Sequence, residues 1–143
     1  MVRLLLSPTG TMAIQVKHYE APGETPVRVA VRPLPVDASD FRLRHKTTDR
    51  RFYDRARKED GAYETIFVDQ EGQLTEGSRT SIFVGRDGRL LTPRASRGLI
   101  PGILRAKLID EGKAEEADLT PADLADGFFV GNIVRGLIPA RLV

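Results

Sequence analysis

Two short stretches of the chain carry residue types that could hold a charged small molecule. Glu76-Gly77-Ser78 places one carboxylate where a predicted strand ends in a turn. Residues 98–105 read Gly-Leu-Ile-Pro-Gly-Ile-Leu-Arg, and the Pro-Gly pair predicts the start of a helix. The first N–H groups of a helix have no partner within it, so they can bind an anion. An acid and an anion cradle together indicate a ligand that has both a basic nitrogen and a phosphate.

The phosphate end of such a ligand has two candidate cradles. In the first, Gly102 permits close backbone approach, and the N–H groups of Ile103 and Leu104 are exposed at the predicted helix start. Taken alone, this stretch would more often be an ordinary Pro-Gly helix start. In the second, Asn132 and Ile133 follow an apolar strand, which is a good place for a second set of backbone donors.

A reactive amine and a carboxylate-binding group complete the set. Lys46 lies where a predicted strand gives way to a helix, beside Arg44 and Arg50. Neighbouring cations lower the pKa of a lysine, which is what Schiff-base chemistry needs. Arg135 follows the second cradle and could bind a substrate carboxylate through two hydrogen bonds. Considered alone, Lys46 would more often be a surface lysine, and Glu76 an ordinary carboxylate at a turn.

The elements that must position these residues are mostly short strands joined by turns. Strands are predicted at residues 2–6, 12–17, 27–31, 41–46, 65–68, 73–75, 81–84, 90–92, 128–130 and 138–143. Helices are predicted from about 49 to 58, from 101 or 102 to 111, and after Thr120. Because hairpins dominate and the helices are separate, the sequence predicts an α+β domain with a largely antiparallel or mixed sheet.

Length and composition limit the classes of protein that the sequence can represent. At 143 residues the chain is one domain by length, with the 41% hydrophobic and 29% charged residues of an ordinary soluble protein. No apolar run is long enough to span a membrane, and the N-terminus lacks a signal-peptide pattern, so the cytoplasm is expected. The absence of cysteine excludes thiol catalysis and thiolate metal sites. The two histidines have no matching carboxylate cluster, so no metal is expected.

One local excess of charge stands out between Arg42 and Lys58, in a chain whose 22 basic residues nearly balance 20 acidic ones. Acidic residues are interleaved with this basic run, which favours a solvated face over an anion site. A nucleic-acid interface is a further possibility. Phe52 and Tyr53, however, stand at a helical spacing that suits a core better than base stacking, so no nucleic-acid partner is expected.

Taken in order along the chain, these pieces resemble the class IV aminotransferases, the pyridoxal-phosphate enzymes of fold type IV. The resemblance is carried by residues 45–50 (His-Lys-Thr-Thr-Asp-Arg), 74–83 (Leu-Thr-Glu-Gly-Ser-Arg-Thr-Ser-Ile-Phe), 91–93, 98–105 and 131–139. It covers roughly residues 21 to 143 and implies the large, PLP-binding domain of the D-amino-acid-aminotransferase-like fold, a mixed or antiparallel sheet with flanking helices. It also implies that residues 1–20 are the last strands and linker of a smaller N-terminal domain.

The resemblance assigns a role to each candidate residue. The cofactor is pyridoxal 5′-phosphate, Lys46 is its Schiff-base lysine and moves the proton at the substrate α-carbon, and Glu76 pairs with the pyridinium nitrogen. The phosphate is held by the backbone at Gly102, Ile103 and Leu104 together with Asn132 and Ile133, while Arg135 contacts the substrate. The resemblance further implies an amino-acid-like substrate and a homodimer.

Within the family, the Lys-Thr-Thr-Asp-Arg run and the short C-terminus resemble 4-amino-4-deoxychorismate lyase. That enzyme of folate biosynthesis eliminates pyruvate to leave 4-aminobenzoate. Transamination of a branched-chain or D-amino acid is the alternative, because the motif serves both reactions equally. A non-catalytic domain that pairs with a partner is a second alternative, because nothing in the sequence corresponds to the body of the smaller domain.

Overall fold

The structure is a computed structural model that describes residues 1–23 and 25–143, and it places ten strands and two helices in them. The strands are β1 (Val2–Leu6), β2 (Met12–Val16), β3 (Val27–Pro33), β4 (Glu64–Val68), β5 (Leu74–Gly77), β6 (Ser81–Arg86), β7 (Arg89–Pro93), β8 (Ala114–Ala117), β9 (Phe128–Asn132) and β10 (Gly136–Leu142). The helices are α1 (Arg51–Asp60) and α2 (Ile103–Asp110). The linker before β3 includes Glu24, which lies outside the described residues.

Eight of the strands form one mixed sheet in the order β5-β4-β3-β10-β9-β6-β7-β8. Strand β3 runs parallel to β4 and to β10, β7 runs parallel to β8, and the other neighbours are antiparallel. This confirms the predicted α+β class with a mixed sheet and flanking helices. The first two strands pair only with each other, as a separate two-stranded antiparallel sheet.

Two groups of buried side chains hold the elements together. The larger runs along the eight-stranded sheet and includes Val29, Ile66, Ile82 and Val130, which are all fully buried. The smaller packs α1 against β4 and consists of Leu43, Tyr53, Ala56 and Phe67, with partly buried residues such as Phe52 around it. The prediction that the aromatic pair of α1 belongs to a core is therefore confirmed. Burial of this helix face fixes the loop that precedes it.

The predicted strand at residues 41–46 is wrong. Phe41–Leu43 form a single 3₁₀ turn, and the side chain of Asp40 caps it by accepting a hydrogen bond from the Arg42 N–H group at 2.8 Å. The alternation of apolar and basic residues therefore does not mark two faces of a strand, because Leu43 alone is buried there. Lys46 consequently lies in an irregular loop rather than at the end of a strand.

Two further elements differ from the predicted ones. Strand β8 was not predicted, because Glu115 and Glu116 in its middle are exposed and give no apolar alternation. The helix predicted after Thr120 is only one 3₁₀ turn, Pro121–Leu124, although Thr120 and Asp123 form the expected cap at its start. Neither difference moves a candidate site residue.

Candidate active site

The acidic residue that was predicted to face a pyridine nitrogen lies in a bulge of β5. Two residues of that strand, Thr75 and Glu76, stand opposite the single residue Phe67 of β4. A bulge bends a strand and redirects a side chain, and bulges are common beside active sites. Here the Glu76 side chain is turned into the protein, where it is 6% exposed. All four residues of β5 are buried, so the Glu76 carboxylate lies inside the protein beside the bulge.

Both carboxylate oxygens of Glu76 have a donor in the protein. The Tyr53 hydroxyl donates to Oε1, and the Ile100 N–H group donates to Oε2 at 3.1 Å. Burial raises the pKa of Glu76 to about 7, although these two hydrogen bonds and the charge of Arg50 lower it. A carboxylate oxygen can accept more than one hydrogen bond, so each oxygen retains acceptor capacity. A cationic N–H group is the partner that would best stabilise the ionised form.

The hydroxyl of Tyr53 acts as a lasting donor in this arrangement. Burial raises the pKa of Tyr53, and the neighbouring charge of Glu76 raises it further. The phenol therefore stays protonated at physiological pH and keeps its hydrogen bond to Glu76. Sequence reasoning missed this role, because the two residues are brought together only by the packing of α1 on the sheet.

The loop that carries Lys46 is anchored beside this carboxylate. Lys46 is exposed, and its amine makes no hydrogen bond or ion pair with residues 1–23 and 25–143. Arg50, at the end of the loop, donates to the carbonyl oxygen of Ser78, and its guanidinium carbon lies 4.6 Å from the centre of the Tyr53 ring. The structure thus brings the lysine loop against the turn that follows Glu76, and it leaves the amine available.

The two candidate phosphate cradles lie against each other. Helix α2 begins at Ile103 with Gly102 as its N-cap, and among the described residues no acceptor faces the N–H groups of Ile103 and Leu104. Gly131, at the end of β9, packs against the first turn of this helix: a Cβ added there would lie 3.1 Å from Leu104 Cδ2 and would overlap the Gly136 carbonyl oxygen. Both sets of backbone donors therefore border one region.

The side chain of Asn132 organises the second cradle. Its amide group donates to the carbonyl oxygen of Arg79 at 3.0 Å, and its Oδ1 accepts from the N–H groups of Val134 and Arg135, both at 3.1 Å. The backbone N–H group of Ile133 has no acceptor in the part of the chain that the structure describes. Among the predicted donors of this segment, Ile133 is thus the one left free, while the Asn132 side chain is occupied in shaping the turn.

A second buried carboxylate, which sequence reasoning missed, lies beneath the turn after Glu76. Glu64 is fully buried, and its Oε1 accepts from the Thr65 N–H group at 2.9 Å and from the Ser78 hydroxyl. Its Oε2 accepts from the Thr80 hydroxyl at 2.7 Å and from the Arg79 N–H group at 3.2 Å. The signal that could have found it is an acid at the very start of the apolar strand 65–68.

This arrangement explains the glycine in the Glu-Gly-Ser motif. A Cβ added at Gly77 would lie 2.6 Å from Thr80 Oγ1 and 3.0 Å from Glu64 Cδ. A larger residue would therefore push the hydroxyl and the carboxylate apart. Within the motif, the glycine is therefore required for the packing of the turn, and the glutamate supplies the acid.

Three arginines of the basic run in α1 and the loop before it, Arg42, Arg51 and Arg57, form ion pairs with acids. Arg42 contacts Asp40 and Asp49 at 2.7 and 3.3 Å, and Arg57 contacts Asp54 at 3.1 Å. A groove of about 470 Å³ lies on this side of the molecule, between Pro33, Phe52 and Phe67, and contains none of the predicted site residues. No group of three acidic or histidine side chains in residues 1–23 and 25–143 could hold a metal ion, and no helix described there could cross a bilayer.

Comparison with known proteins assigns the chain to a family. The chain matches the amino-transferase class IV family over residues 3–143. It is 30% identical over 86 residues to a Thermotoga maritima protein provisionally named a branched-chain-amino-acid aminotransferase. That alignment covers 55% of this chain and 32% of the relative, so the match spans about a third of the relative's length.

Two solved structures extend the likeness to the fold. A Mesorhizobium loti protein provisionally named an amino-acid aminotransferase superposes with a TM-score of 0.91 and 40% identity, over 99% of this chain and 72% of that one. A Legionella pneumophila protein provisionally named a 4-amino-4-deoxychorismate lyase superposes with a TM-score of 0.78 and 25% identity, over 92% of this chain and 53% of that one. The fold is shared with both.

Proposed function

Because the chain belongs to the class IV aminotransferase family, whose members bind pyridoxal phosphate, we propose that it holds this cofactor and acts at the α-carbon of an amino-acid-like substrate. The observation that carries the proposal is the buried carboxylate of Glu76, which keeps acceptor capacity for one more donor. A protonated pyridine nitrogen fits this position, because its positive charge favours the ionised form of Glu76, which burial alone disfavours. When bound, the cofactor supplies a ring that withdraws electrons from the substrate α-carbon.

The residues of the chain have separate roles in this proposal. Lys46 holds the cofactor covalently and moves the proton at the substrate α-carbon. Glu76 holds the proton on the pyridine nitrogen, and Tyr53 and Ile100 orient the carboxylate. The phosphate is bound by backbone N–H groups of the two cradles at Gly102, Ile103, Leu104, Asn132 and Ile133. Arg135 binds a carboxylate of the substrate, because a guanidinium can bind one through two parallel hydrogen bonds.

Absorbance of the purified protein tests cofactor binding. Adding pyridoxal phosphate should produce a visible band in the wild type, and Lys46→Ala should abolish it. Lys58→Ala is the matched control, because Lys58 is an exposed lysine of α1 and should leave the band unchanged. A wild-type protein without the band, or a band that survives in Lys46→Ala, would favour a non-catalytic domain.

For the reaction itself, we propose pyruvate elimination from 4-amino-4-deoxychorismate, as the lysine run of the sequence indicates. The name of the Legionella pneumophila protein, whose fold this chain shares, agrees with this choice. Transamination is the second candidate, and the names of the Mesorhizobium loti and Thermotoga maritima proteins favour it. Formation of 4-aminobenzoate from the lyase substrate supports the first reaction. Turnover of a branched-chain or D-amino acid that depends on 2-oxoglutarate, with no 4-aminobenzoate, reverses the order.

Assembly and location are parts of the same proposal. We propose a cytoplasmic homodimer in which the hairpin of β1 and β2 is the last part of a smaller N-terminal unit, and residues 21–143 are the cofactor-binding unit. Support comes from the hairpin's separation from the main sheet and from its apolar, exposed face. Sedimentation at several concentrations tests the dimer.

A further inference from the structure

Three arginines from different elements converge at the end of the sheet that carries the second cradle. Arg57 lies near the end of α1, Arg79 in the turn between β5 and β6, and Arg135 in the turn between β9 and β10. The side chain of Asn132 ties two of them together, since it donates to the Arg79 carbonyl and accepts from the Arg135 N–H group. Arg57 donates to the Ser78 hydroxyl at 3.1 Å, one residue before Arg79. These contacts bring the Arg57 side chain and the turns that carry Arg79 and Arg135 together.

Few negative charges face this arginine cluster. The nearest carboxylate to the Arg79 guanidinium is Glu64, at 4.0 Å from Nε, and its oxygens already accept four other hydrogen bonds. Arg57 has one carboxylate partner, Asp54, which is 62% exposed. The guanidinium of Arg135 has no carboxylate within 4.0 Å among residues 1–23 and 25–143, and lies 5.4 Å from the centre of the Tyr19 ring.

The surroundings of Arg79 disfavour its charged form. Burial lowers the pKa of Arg79, and the charges of Arg135 and Arg57 lower it further, against the opposite effect of Glu64. The Nη2 group of Arg79 donates to the Tyr63 carbonyl oxygen at 2.7 Å, whereas its buried Nε group has no hydrogen-bond acceptor among the described residues. Like charges held close together in a partly buried setting are relieved when an anion binds between them. The cluster therefore has unused capacity for a negatively charged ligand.

We propose that Arg79 and Arg135 form an anion subsite for a second carboxylate of the substrate, so that the enzyme prefers dicarboxylic amino compounds. This inference rests on the proposed function, because it takes the turn at Asn132 and Ile133 as the border of the cofactor site. Arg135 binds the carboxylate nearer the reacting carbon, and Arg79, on the neighbouring turn, binds the one further from it. Arg57 adds positive charge behind both. Apolar branched-chain substrates would leave this charge without a partner.

Calorimetry with two simple acids tests the subsite. Glutarate carries two carboxylates and butyrate one, and each is titrated into the protein with and without pyridoxal phosphate. We expect glutarate to bind at least about tenfold more tightly than butyrate, because a second charge-assisted pair is worth roughly this factor. Arg79→Gln should remove about this tenfold preference and leave butyrate binding unchanged, while Arg135→Gln should weaken both acids. Arg89→Gln, which removes an exposed charge elsewhere, is the control.

Inorganic phosphate and the visible band separate the other outcomes. If Arg79→Gln or Arg135→Gln weakens binding of phosphate or of pyridoxal phosphate instead of glutarate, the cluster serves the cofactor and the inference is wrong. Equal affinity of the wild type for glutarate and butyrate also overturns it. Arg135→Gln removes no hydrogen bond of the guanidinium within the described chain, so it keeps the test valid if Arg79→Gln does not fold. Failure of the proposed function is recognised separately, as a wild-type protein without the visible band.

Discussion

Glu76 binds its proton more tightly in the folded protein than in the unfolded chain. Burial raises its pKa from an ordinary value near 4.5 to about 7, so between these values the folded state binds more protons than the unfolded state. The free energy of unfolding therefore falls as the pH rises through this window, by roughly 3 kcal/mol in total. Carboxyl groups with lowered pKa values, such as Asp40 at about 2 beside Arg42, act in the opposite direction but at lower pH.

A single substitution separates the contribution of Glu76 to the pH dependence of stability from the contributions of the other titratable groups. In Glu76→Gln the fall in stability between pH 4.5 and 7 should disappear, because the amide does not titrate. Urea unfolding of the cofactor-free protein at several pH values in this range measures the slope for both proteins. A wild-type slope that persists in the variant would mean that a different group is responsible. Asp54→Asn is a control, since that carboxylate is exposed and should leave the slope intact.

Gly131 tests the contact between the two cradles. A methyl group there would overlap the carbonyl oxygen of Gly136 and crowd Leu104, so Gly131→Ala should destabilise the protein by about 2–3 kcal/mol. Gly85→Ala is a matched control in β6, because an added Cβ there meets nothing within 4 Å, and it should change stability by less than about 1 kcal/mol. Thermal unfolding of both variants makes the comparison. Similar melting temperatures would show that Gly136 and Leu104 do not pack this closely against Gly131.

Some site residues could be found from the sequence and others could not, for a physical reason. Lys46 and Glu76 were proposed from the residue types and the order of short motifs, which can be read along the sequence without knowledge of their partners in space. Tyr53 and Glu64 act through contacts 23 and 14 residues away, which form only when α1 packs on the sheet and β4 pairs with β5. Patterns along a single strand or helix do not record such contacts. The positions predicted for the lysine and the acid remain proposals about cofactor chemistry.

At the scale of elements, the turn from Glu76 to Thr80 depends on one buried carboxylate. Glu64→Gln replaces an acceptor oxygen by a donor and leaves the Arg79 or Thr65 N–H group without an acceptor, so it should destabilise the protein by roughly 2 kcal/mol. Glu115→Gln, on the exposed face of β8, should cost less than about 0.5 kcal/mol. Denaturant unfolding measures both. Equal effects would show that Glu64 does not support the turn.

The element predictions differ in success because local patterns and long-range pairing compete. The strands predicted at residues 81–84 and 90–92 form a hairpin whose turn is at Asp87-Gly88, where both residues have positive φ and their types favour this turn. Residues 41–46 alternate like a strand, yet capping by Asp40 and burial of Leu43 favour a 3₁₀ turn. β8 shows no strand pattern of its own and exists because β7 offers it a parallel edge. Tertiary context decided both cases.

At the scale of the whole molecule, the β1–β2 hairpin presents an apolar face to solvent. The cross-strand pairs Val2–Val16, Leu4–Ile14 and Leu6–Met12 lie on one face, and their side chains are 63–76% exposed. Contiguous apolar surface of this kind normally marks a protein contact. A free hairpin edge adds unpaired backbone groups to the same region. Self-association through this face is therefore expected for the isolated chain.

The central pair of that face provides the test of self-association. Leu4→Lys combined with Ile14→Glu keeps a favourable cross-strand pair within the hairpin but removes two large apolar groups from its centre. Sedimentation velocity should show that the average mass of the wild type rises with concentration, whereas the mass of the double variant should stay close to that of one chain. Exchanging the pair on the opposite face, Arg3→Glu with Gln15→Lys, should leave association unchanged. If the double variant still dimerises, the dimer forms through another surface, because these substitutions place charge at the centre of the apolar face.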